Sequence, residues 1–358
     1  MGHGRWGAGA VLRRAVLSAL LAGAVLLGAC TAEQPPSAPV PAATPDRPSG
    51  AQGVAPAPAV GPGTLAAYVD VTLAEGSAPP PGLALVLAFV VAGPRGCTPT
   101  WGGGLPIDAP SVLRQVERWR AAGHELRVSF GGQRGTELAS RCRSAALLAA
   151  AYRRVVQVVR PAAIDLDVEG RTLGDAVAGR RRAAALRLLQ ADGDATGRPL
   201  ATTLTLPAAA SGLTAAGRAQ VALLLSEGVK VSAVNAMTMN YGVVTPDAAA
   251  QALVVAASVH DTWQELEPDT DDATLWRRVW VTPMIGRNDL QPEVFTPEDA
   301  ARLATLAQAR GLGGLAFWSL SRDRPCPAGT KVVSSTCSGV DAPAGTYATL
   351  LSRFVART

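Results

Sequence analysis

Beyond residue 63, the chain alternates short apolar runs with longer amphipathic stretches. Eight of the runs are rich in apolar and β-branched residues and have the length of buried strands. These predicted strands cover residues 65–71, 83–91, 125–130, 163–169, 200–206, 229–239, 279–285 and 314–320. Most of the intervening stretches have helical spacing, several with a capping residue or a proline at the first turn. The predicted helices cover residues 109–122, 136–159, 173–191, 214–227, 246–266, 297–310 and 344–355.

Eight strands that alternate with helices predict an α/β fold, the (β/α)8 barrel, with parallel strands inside a ring of helices. An open doubly wound sheet is the alternative for such a pattern. No Gly-x-Gly-x-x-Gly sequence follows the first strand, so the strongest sequence signal for that alternative is missing. We therefore expect one barrel domain over residues 64–358.

The first 29 residues have the layout of a secretory signal peptide. Three arginines lie within residues 5–14, and residues 15–29 form an uncharged apolar run that is short for a membrane-spanning helix. The run ends at Leu27-Gly28-Ala29-Cys30, which resembles a bacterial lipobox and predicts cleavage before Cys30 and lipidation of its thiol. An ordinary signal peptide with an incidental cysteine is the alternative.

Residues 30–63 are rich in proline and alanine and lack the bulky side chains that a packed core needs. We interpret them as a linker that holds the barrel away from a membrane surface. The expected location is that of an exported lipoprotein on the extracytoplasmic face of the cell membrane.

Composition narrows the classes of function. With 48% hydrophobic and 17% charged residues, the chain has ample apolar material for a core, which excludes a wholly disordered protein. The net charge is +5, but three arginines of the signal peptide contribute to it, so we expect no nucleic-acid partner. Only three histidines occur, one of them in the signal peptide, so we expect neither a metal site nor a cofactor. A monomer is expected.

Four cysteines remain after Cys30, an even number that suits a disulfide-bonded exported domain. Three pairings are possible among Cys97, Cys142, Cys326 and Cys337, and four free thiols are the alternative. A bond between Cys326 and Cys337 would close a short loop rich in Pro, Gly and Ser, which would leave Cys97 to pair with Cys142.

The candidate catalytic residues lie at the carboxyl ends of the predicted strands, where barrels have their active sites. Strand four ends with Asp165, Asp167 and Glu169, and alternation puts all three side chains on one face. Three neighbouring carboxylates at a barrel mouth cannot all ionise without cost, so at least one proton is expected to remain near neutral pH. A protonated carboxyl beside an ionised one suits a glycosidic general acid. A solvated acidic face or a cation site is the alternative.

Other unusual residues follow the neighbouring strands, and we predict that they line a substrate cleft. These candidates are Gly131, Gly132, Met237, Met239, Asn240, Tyr241, Asn288, Asp289 and Trp318. Structural roles are the alternative: the glycines in a turn, the methionines in barrel packing, Trp318 in the core and the two residues after strand seven as turn caps. Trp101, beside three glycines, is either a sugar-stacking platform or a plug under the disulfide loop.

These motifs resemble those of glycoside hydrolase family 18, the chitinase family. The family's Ser-x-Gly-Gly at strand three is similar to Ser129-Phe130-Gly131-Gly132, and its Asp-x-x-Asp-x-Asp-x-Glu at strand four is similar to residues 162–169, with Ala162 in place of the first Asp. Compact microbial chitinases have sequences similar to Trp101-Gly102-Gly103 and to residues 237–242. The resemblance extends over residues 64–358.

The resemblance implies retaining, substrate-assisted hydrolysis of β-1,4-linked N-acetylglucosamine in chitin or related oligosaccharides. In that mechanism the acetamido oxygen of the substrate attacks the anomeric carbon. By matching motif, Glu169 is the general acid and base and Asp167 orients the acetamido group. Asp165 holds or shares the proton of Asp167. Tyr241 binds the acetamido oxygen, and Trp318 forms the floor under the sugar.

Asn240 departs from the family pattern, because many members have Asp at this position. The amide removes one negative charge near the cationic intermediate, which bears on rate and pH optimum. A lectin that binds chitin-like glycans without cleaving them is an alternative, although lectin-like relatives usually lose the acid that Glu169 provides. An endo-β-N-acetylglucosaminidase acting on N-glycans uses the same chemistry and is the other alternative, and peptidoglycan is a further possible substrate.

Overall fold

Eight parallel strands close into a barrel in the computed structural model, which describes residues 63–73 and 78–355. In chain order they are β1 Thr64–Asp70, β2 Ala84–Ala92, β3 Leu126–Gly131, β4 Ala163–Asp167, β5 Ala201–Ala209, β6 Ala233–Met237, β7 Val279–Thr282 and β8 Gly314–Phe317. Each strand pairs in parallel with its neighbour in the chain, and β8 pairs with β1 to complete the circle. The predicted (β/α)8 barrel is confirmed. The predicted signal peptide, Cys30 and all but the end of the linker lie outside the described residues.

Helices connect the strands on the outside of the barrel. They are α1 Pro110–Ala121, α2 Leu138–Arg141, α3 Ala145–Val159, α4 Gly170–Leu173, α5 Ala176–Ala195, α6 Ala215–Ser226, α7 Ala248–Leu266, α8 Asp272–Arg277, α9 Pro297–Arg310 and α10 Thr346–Leu351. No helix within residues 63–73 and 78–355 has both the length and the apolar character needed to cross a membrane.

The helix predicted over residues 136–159 is in fact two helices, α2 and α3. Cys142 ends α2 with extended backbone, and the side chain of Ser144 begins α3 by accepting a hydrogen bond from the Leu147 N–H at 3.2 Å. The apolar spacing runs through both helices, so it gave no sign of the break.

The alternation of side chains separates an outer apolar layer from the barrel interior. Outward-facing residues such as Leu85 and Leu204 pack against the helices. The barrel interior holds a second, smaller cluster, formed by Ala66, Tyr68, Ala84, Val86, Ala88, Ala233, Trp280 and Ala316. The small alanines leave space for the two large rings, and the guanidinium of Arg127 lies 4.8 Å from the Trp280 ring centroid. The Tyr68 hydroxyl connects this cluster to the polar side chains of the interior.

Two disulfides join loops at the barrel surface, and both predicted pairings are confirmed. Cys97 follows β2 and bonds to Cys142, while Cys326 bonds to Cys337 in the loop after β8. The first bond ties the loop after β2 to the junction between α2 and α3.

Trp101 is a core residue, so its prediction as a sugar-stacking platform is wrong. The residue ends a short strand, Pro99–Trp101, that folds back antiparallel on β2. Its side chain is completely buried, and its indole N–H donates to the Ile107 carbonyl at 3.3 Å. The alternative interpretation, a plug near the Cys97–Cys142 loop, agrees with this placement.

A buried ion pair fastens α2 and α5 to each other. Arg182 on α5 is fully buried and donates two hydrogen bonds of 2.7 Å to Glu137, which precedes α2. Its third nitrogen donates to Gln220 on α6 at 2.9 Å. Each charged group of the pair is hydrogen-bonded to the other, so removal of one partner would leave the other charge buried and unpaired.

We predict that Arg182→Met lowers the free energy of unfolding by about 3–5 kcal/mol, because Glu137 would then be buried unpaired. Denaturant unfolding followed by circular dichroism measures the change. Arg154→Met is the matched control, since Arg154 pairs with Asp108 on the exposed surface and its loss should cost less than about 1 kcal/mol. Equal effects of the two substitutions would contradict the prediction.

Candidate active site

The end of β4 places two carboxylates inside the barrel. Ile164 and Leu166 face the outer apolar layer, so Asp165 and Asp167 face inward, where they are 3% and 4% exposed. The strand ends at Asp167, two residues earlier than predicted. Glu169 keeps extended backbone immediately before α4 and is half-buried. All three carboxyl groups therefore follow one another up the same wall of the barrel.

Asp165 is held by hydroxyl groups from three other strands. It accepts hydrogen bonds from Ser129 Oγ at 2.6 Å, Thr205 Oγ1 at 2.6 Å and Tyr68 Oη at 3.1 Å. Burial raises the pKa of Asp165, and these three donors act in the opposite direction. Burial and the nearby charges of Asp165 and Asp167 raise the pKa of Tyr68, so its hydroxyl stays a donor.

The donors to Asp165 are themselves hydrogen-bonded to further polar side chains around the barrel. We call this connected set the polar belt, and its members are Tyr68, Ser129, Asp165, Thr205, Asn235 and Thr282. The Thr282 hydroxyl donates to the side-chain oxygen Oδ1 of Asn235 at 2.8 Å. The Asn235 amide donates to Thr205 at 3.0 Å and to Tyr68 at 3.3 Å. The protons of the belt are therefore directed towards Asp165, which acts as an acceptor.

Asp167 and Glu169 form a hydrogen-bonded carboxyl pair. Burial, followed by the charges of Glu169 and Asp165, raises the pKa of Asp167 well above its ordinary value. Burial also raises the pKa of Glu169, although its hydrogen bond with Asp167 acts against this. The pair therefore retains a proton at pH values where exposed carboxyl groups are ionised. One oxygen of Asp167, Oδ1, is buried with no hydrogen-bond partner.

Gly131 and Gly132 allow β3 to lie directly against Asp167. Both have positive φ, and a Cβ at Gly131 would lie 2.0 Å from the Asp167 carbonyl oxygen. A Cβ at Gly132 would meet the Phe89 ring at 2.8 Å, and the Gly132 N–H donates to the Asp167 carbonyl at 3.0 Å. The glycines thus position the backbone behind the carboxyl pair, and neither lines the cavity described next.

A cavity of about 230 Å³ opens above the carboxyl pair. It is lined by Tyr68, Phe89, Gln133, Asp167, Glu169, Thr205, Pro207, Ala208, Met237, Met239, Asn240, Thr282, Met284, Asp289 and Trp318. Trp318 stacks on Phe89 with ring centroids 5.4 Å apart and lies 6.0 Å from the Tyr68 ring. An aromatic surface beside acidic groups suits a ligand with both apolar faces and polar edges, such as a sugar.

A larger cavity of about 620 Å³ lies outside the barrel, beside β1 and α1. Asp70 is the one carboxylate among its described lining residues, so it holds no group of interacting acids. Within residues 63–73 and 78–355, no group of His, Cys, Asp and Glu is arranged to hold a metal ion. The chemistry favours the smaller cavity at the barrel mouth.

The loops after β6 and β7 are joined beside this cavity. Asn240 has a φ of 58°, and its backbone N–H donates to the Asn288 side chain at 3.1 Å. Glu293 accepts hydrogen bonds from the backbone N–H groups of Tyr241 at 2.7 Å and Gly242 at 3.3 Å. These bonds fix one wall of the cavity.

Comparison with known proteins finds chitinases among the proteins that are similar to this chain. No protein-family model matches the chain. A probable bifunctional chitinase/lysozyme of Escherichia coli K12 is 32% identical over 249 residues, and Endochitinase 11 of Metarhizium anisopliae is 30% identical over 248 residues. Each match covers 67% of this chain, but only 28% and 47% of these relatives, so the chain spans less than half of their length.

The fold is also similar to that of active domain 2 of a thermostable chitinase from Pyrococcus furiosus, solved as catalytic-site mutants complexed with chito-oligosaccharides. The TM-score is 0.73, with 29% identity over 82% of this chain and 95% of that chain. In sequence and in fold the chain is therefore similar to chitinases. The motifs at β3 and β4 that resemble those of glycoside hydrolase family 18 are the Gly131-Gly132 pair and the three carboxyl groups described above.

Several residues that the sequence predicts for the site do line the cavity. They are Asp167, Glu169, Met237, Met239, Asn240, Asp289 and Trp318. Asp165 lies below them in the polar belt, where its hydrogen bonds come from hydroxyl groups. Asp167 is hydrogen-bonded to Glu169 in this structure, and the role that the resemblance implies for Asp165, to hold or share the proton of Asp167, stays a prediction.

Tyr241 and Asn288 are placed differently from their prediction. Tyr241 packs against the outer core and its hydroxyl is buried without a partner, while Met239 occupies the cavity wall. Asn288 is 1% exposed and donates to the carbonyls of Met284 and Gly286, so it braces a loop and does not line the cleft. Both residues follow the ends of β6 and β7, where strand alternation no longer applies.

Sequence reasoning missed the residues that β1, β2 and β5 contribute. Tyr68, Phe89 and Thr205 line the cavity, and two of them also belong to the polar belt. Their position near the carboxyl ends of predicted strands was the available signal.

We predict that Asp167→Asn stabilises the protein more at pH 8 than at pH 4. The pKa of Asp167 is raised on folding, so its ionisation destabilises the folded state as pH rises through that pKa, and the amide removes this cost. Denaturant midpoints between pH 4 and 8 measure the effect. Asp269→Asn, on the exposed surface, is the control and should leave the pH profile unchanged. A parallel profile for Asp167→Asn and the wild type would refute the assignment.

Proposed function

We propose that the protein is a chitinase-like glycoside hydrolase that cleaves β-1,4-linked N-acetylglucosamine with retention of anomeric configuration. The observation that carries the proposal is the hydrogen-bonded Asp167–Glu169 pair at the base of a cavity with an aromatic floor. The P. furiosus chitinase domain, similar in fold and 29% identical, was solved with chito-oligosaccharides. Chitin or an oligosaccharide containing N-acetylglucosamine is therefore the proposed substrate.

Glu169 is the proposed general acid and base. It is half-buried at the cavity edge, so its carboxyl group can contact both Asp167 and a bound substrate. Its proton passes to the leaving glycosidic oxygen as the bond from that oxygen to the anomeric carbon breaks. A water molecule later adds to the anomeric carbon as the bond from that carbon to the acetamido oxygen breaks, and it returns a proton to Glu169.

Asp167 is the proposed partner of the substrate's acetamido group. Asp167 lines the cavity, so its carboxylate can accept a hydrogen bond from the acetamido N–H of a bound sugar. That hydrogen bond turns the acetamido oxygen towards the anomeric carbon, with which it forms a bond as the leaving group departs. The negative charge of Asp167 then lies beside the cationic ring of the intermediate.

Trp318 and Phe89 supply the floor for the reacting sugar. Their rings are stacked with an interplanar angle of 20°, and Trp318 is partly exposed to the cavity. Pyranose rings have apolar faces, and burial of such a face on an aromatic ring is favourable. The sugar is thereby held above the carboxyl pair.

We predict that Glu169→Gln lowers kcat on chito-oligosaccharides by about 10²–10⁴-fold, because the amide cannot donate the proton. Product chromatography gives the rate, and NMR of the first product gives the anomer, for which retention is expected. Glu265→Gln, an exposed change on α7, is the matched control and should keep full activity.

The outcomes of this experiment separate the alternatives. Undiminished cleavage by Glu169→Gln would exclude Glu169 as the acid. A wild-type protein that binds chito-oligosaccharides without cleaving them would be the lectin, and one that cleaves only N-glycans would be the endo-β-N-acetylglucosaminidase. Peptidoglycan fragments are tested as a further substrate in the same assay.

We also propose that the protein is exported and anchored by a lipid on Cys30. The proposal is supported by the apolar run that ends at Leu27-Gly28-Ala29-Cys30 and by the two disulfides of the barrel, since disulfides persist in oxidising compartments. An acylated Cys30 would attach the protein to a membrane surface without a spanning helix. The Pro- and Ala-rich segment after it would separate the barrel from that surface.

We predict that Cys30→Ala moves the protein from the membrane fraction to the medium or stops its processing, because no thiol remains for acylation. Cell fractionation with immunoblotting measures the distribution, and Thr31→Ala serves as the neighbouring control. Retention of Cys30→Ala in the membrane fraction at the wild-type level would show that the anchor assignment is wrong.

A further inference from the structure

The cavity carries a third carboxylate on the wall formed by the loops after β6 and β7. Asp289 lies in the loop after β7, is exposed, and lines the cavity together with Asp167 and Glu169. The substrate-assisted step proposed above gives it no role. Its geometry is set by Asn240, which follows β6.

The side-chain amide of Asn240 both accepts and donates hydrogen bonds. Its oxygen accepts hydrogen bonds from the backbone N–H of Asp289 at 2.8 Å and of Leu290 at 3.2 Å. Its nitrogen donates to the Asp289 carboxylate at 3.3 Å. A carboxylate at position 240 would still accept the first two bonds, but it could not make the third and would face Asp289 with a like charge.

The backbone at Asn240 also suits an asparagine. Its φ of 58° lies in the left-handed region, where asparagine is tolerated better than most residues. The left-handed turn is what allows the side chain to reach the loop after β7. The residue that departs from the family pattern is therefore matched to its neighbour Asp289.

Asp289 keeps free acceptor capacity on the cavity side. Within residues 63–73 and 78–355, the Asn240 amide makes the one hydrogen bond found to its carboxylate, which can accept about four. The buried Arg322 donates to the carbonyls of Ile285 and Arg287, so its guanidinium is already engaged by backbone. An exposed carboxylate with open acceptor sites is complementary to hydrogen-bond donors on a sugar.

We propose that Asp289 is a substrate-binding carboxylate that accepts a hydrogen bond from a sugar hydroxyl or, on a deacetylated unit, from its ammonium group, and that Asn240 is the positioning residue that aims it into the cavity. This inference rests on the proposed function, because the ligand is the same oligosaccharide. It adds a specificity contact and a reason for an amide at position 240.

The test is a double-mutant cycle of Asp289→Asn, Asn240→Asp and the two together, with kcat and KM measured on fully acetylated chito-oligosaccharides. Asp289→Asn should raise KM about tenfold with kcat changed less than threefold, because a neutral acceptor replaces a charged one. Asn240→Asp should lower kcat/KM by at least the same factor. The double variant again pairs an amide donor with a carboxylate acceptor, so it should recover activity relative to Asn240→Asp.

Two controls complete the experiment. Asp269→Asn, an exposed carboxylate away from the cavity, should leave KM unchanged, and thermal unfolding should show that every variant is folded. Partially deacetylated oligosaccharides distinguish the donors: a larger, salt-sensitive effect of Asp289→Asn on them identifies the ammonium, and an equal effect identifies the hydroxyl.

Two results would overturn the inference while the proposed function stands. One is an unchanged KM for Asp289→Asn. The other is strict additivity in the cycle, which would mean that the two side chains do not act together. A wild-type protein that cleaves none of these oligosaccharides would instead remove the proposed function.

Discussion

The hydrogen bonds that converge on Asp165 are the constraint on which the barrel interior depends. A carboxylate at 3% exposure is stable only if donors replace the water it has lost. Ser129 lies directly opposite Asp165 in the register of β3 and β4, so strand pairing delivers the first donor. Thr205 lies opposite Asp167 in the register of β4 and β5, and its hydroxyl reaches back along the strands to donate to Asp165. Tyr68 reaches across from β1 with the third. Closure of the barrel and burial of this charge therefore support each other.

Because Asp165 takes its donors from hydroxyl groups, the next carboxylate along β4 must find its proton elsewhere. Asp167 is hydrogen-bonded to Glu169, and burial together with the neighbouring carboxylates raises its pKa. Gly131 and Gly132 keep β3 against the Asp167 backbone. A ligand that donates an N–H to Asp167 would favour its ionised form, which is one way in which binding energy is directed to the reacting group.

The sequence predicted the barrel and its carboxylates because both follow from simple periodicity. Eight apolar runs correspond to eight strands, and alternation along β4 places Asp165 and Asp167 on one face. Glu169 lies past the strand end, yet its backbone remains extended, so alternation still holds there. At Asn240 the left-handed backbone interrupts it, and Tyr241 therefore turns to the outer core.

Other features depend on which segments meet in space, and a single sequence does not show this. Tyr68 and Asp165 are 97 residues apart along the chain, and only the closed barrel brings them within 3.1 Å. The burial of Trp101 follows from a short antiparallel strand after β2, whose three residues are too few to give a periodic signal. The pairing of Asn240 with Asp289 likewise joins two loops that each look like an ordinary turn.

The two walls of the cavity are made rigid by different means, and this bears on how the site recognises a ligand. On the β3–β4 side, glycines allow backbone to pack on backbone at the carboxyl pair. On the β6–β7 side, Glu293 and Asn240 fasten the loops through hydrogen bonds to main-chain N–H groups. Catalytic geometry placed on strands tolerates little movement, whereas side-chain bonds between loops can be exchanged without rebuilding the barrel. The position of Asp289 therefore depends on side-chain hydrogen bonds between two loops, while β4 itself positions the carboxyl groups of Asp165 and Asp167.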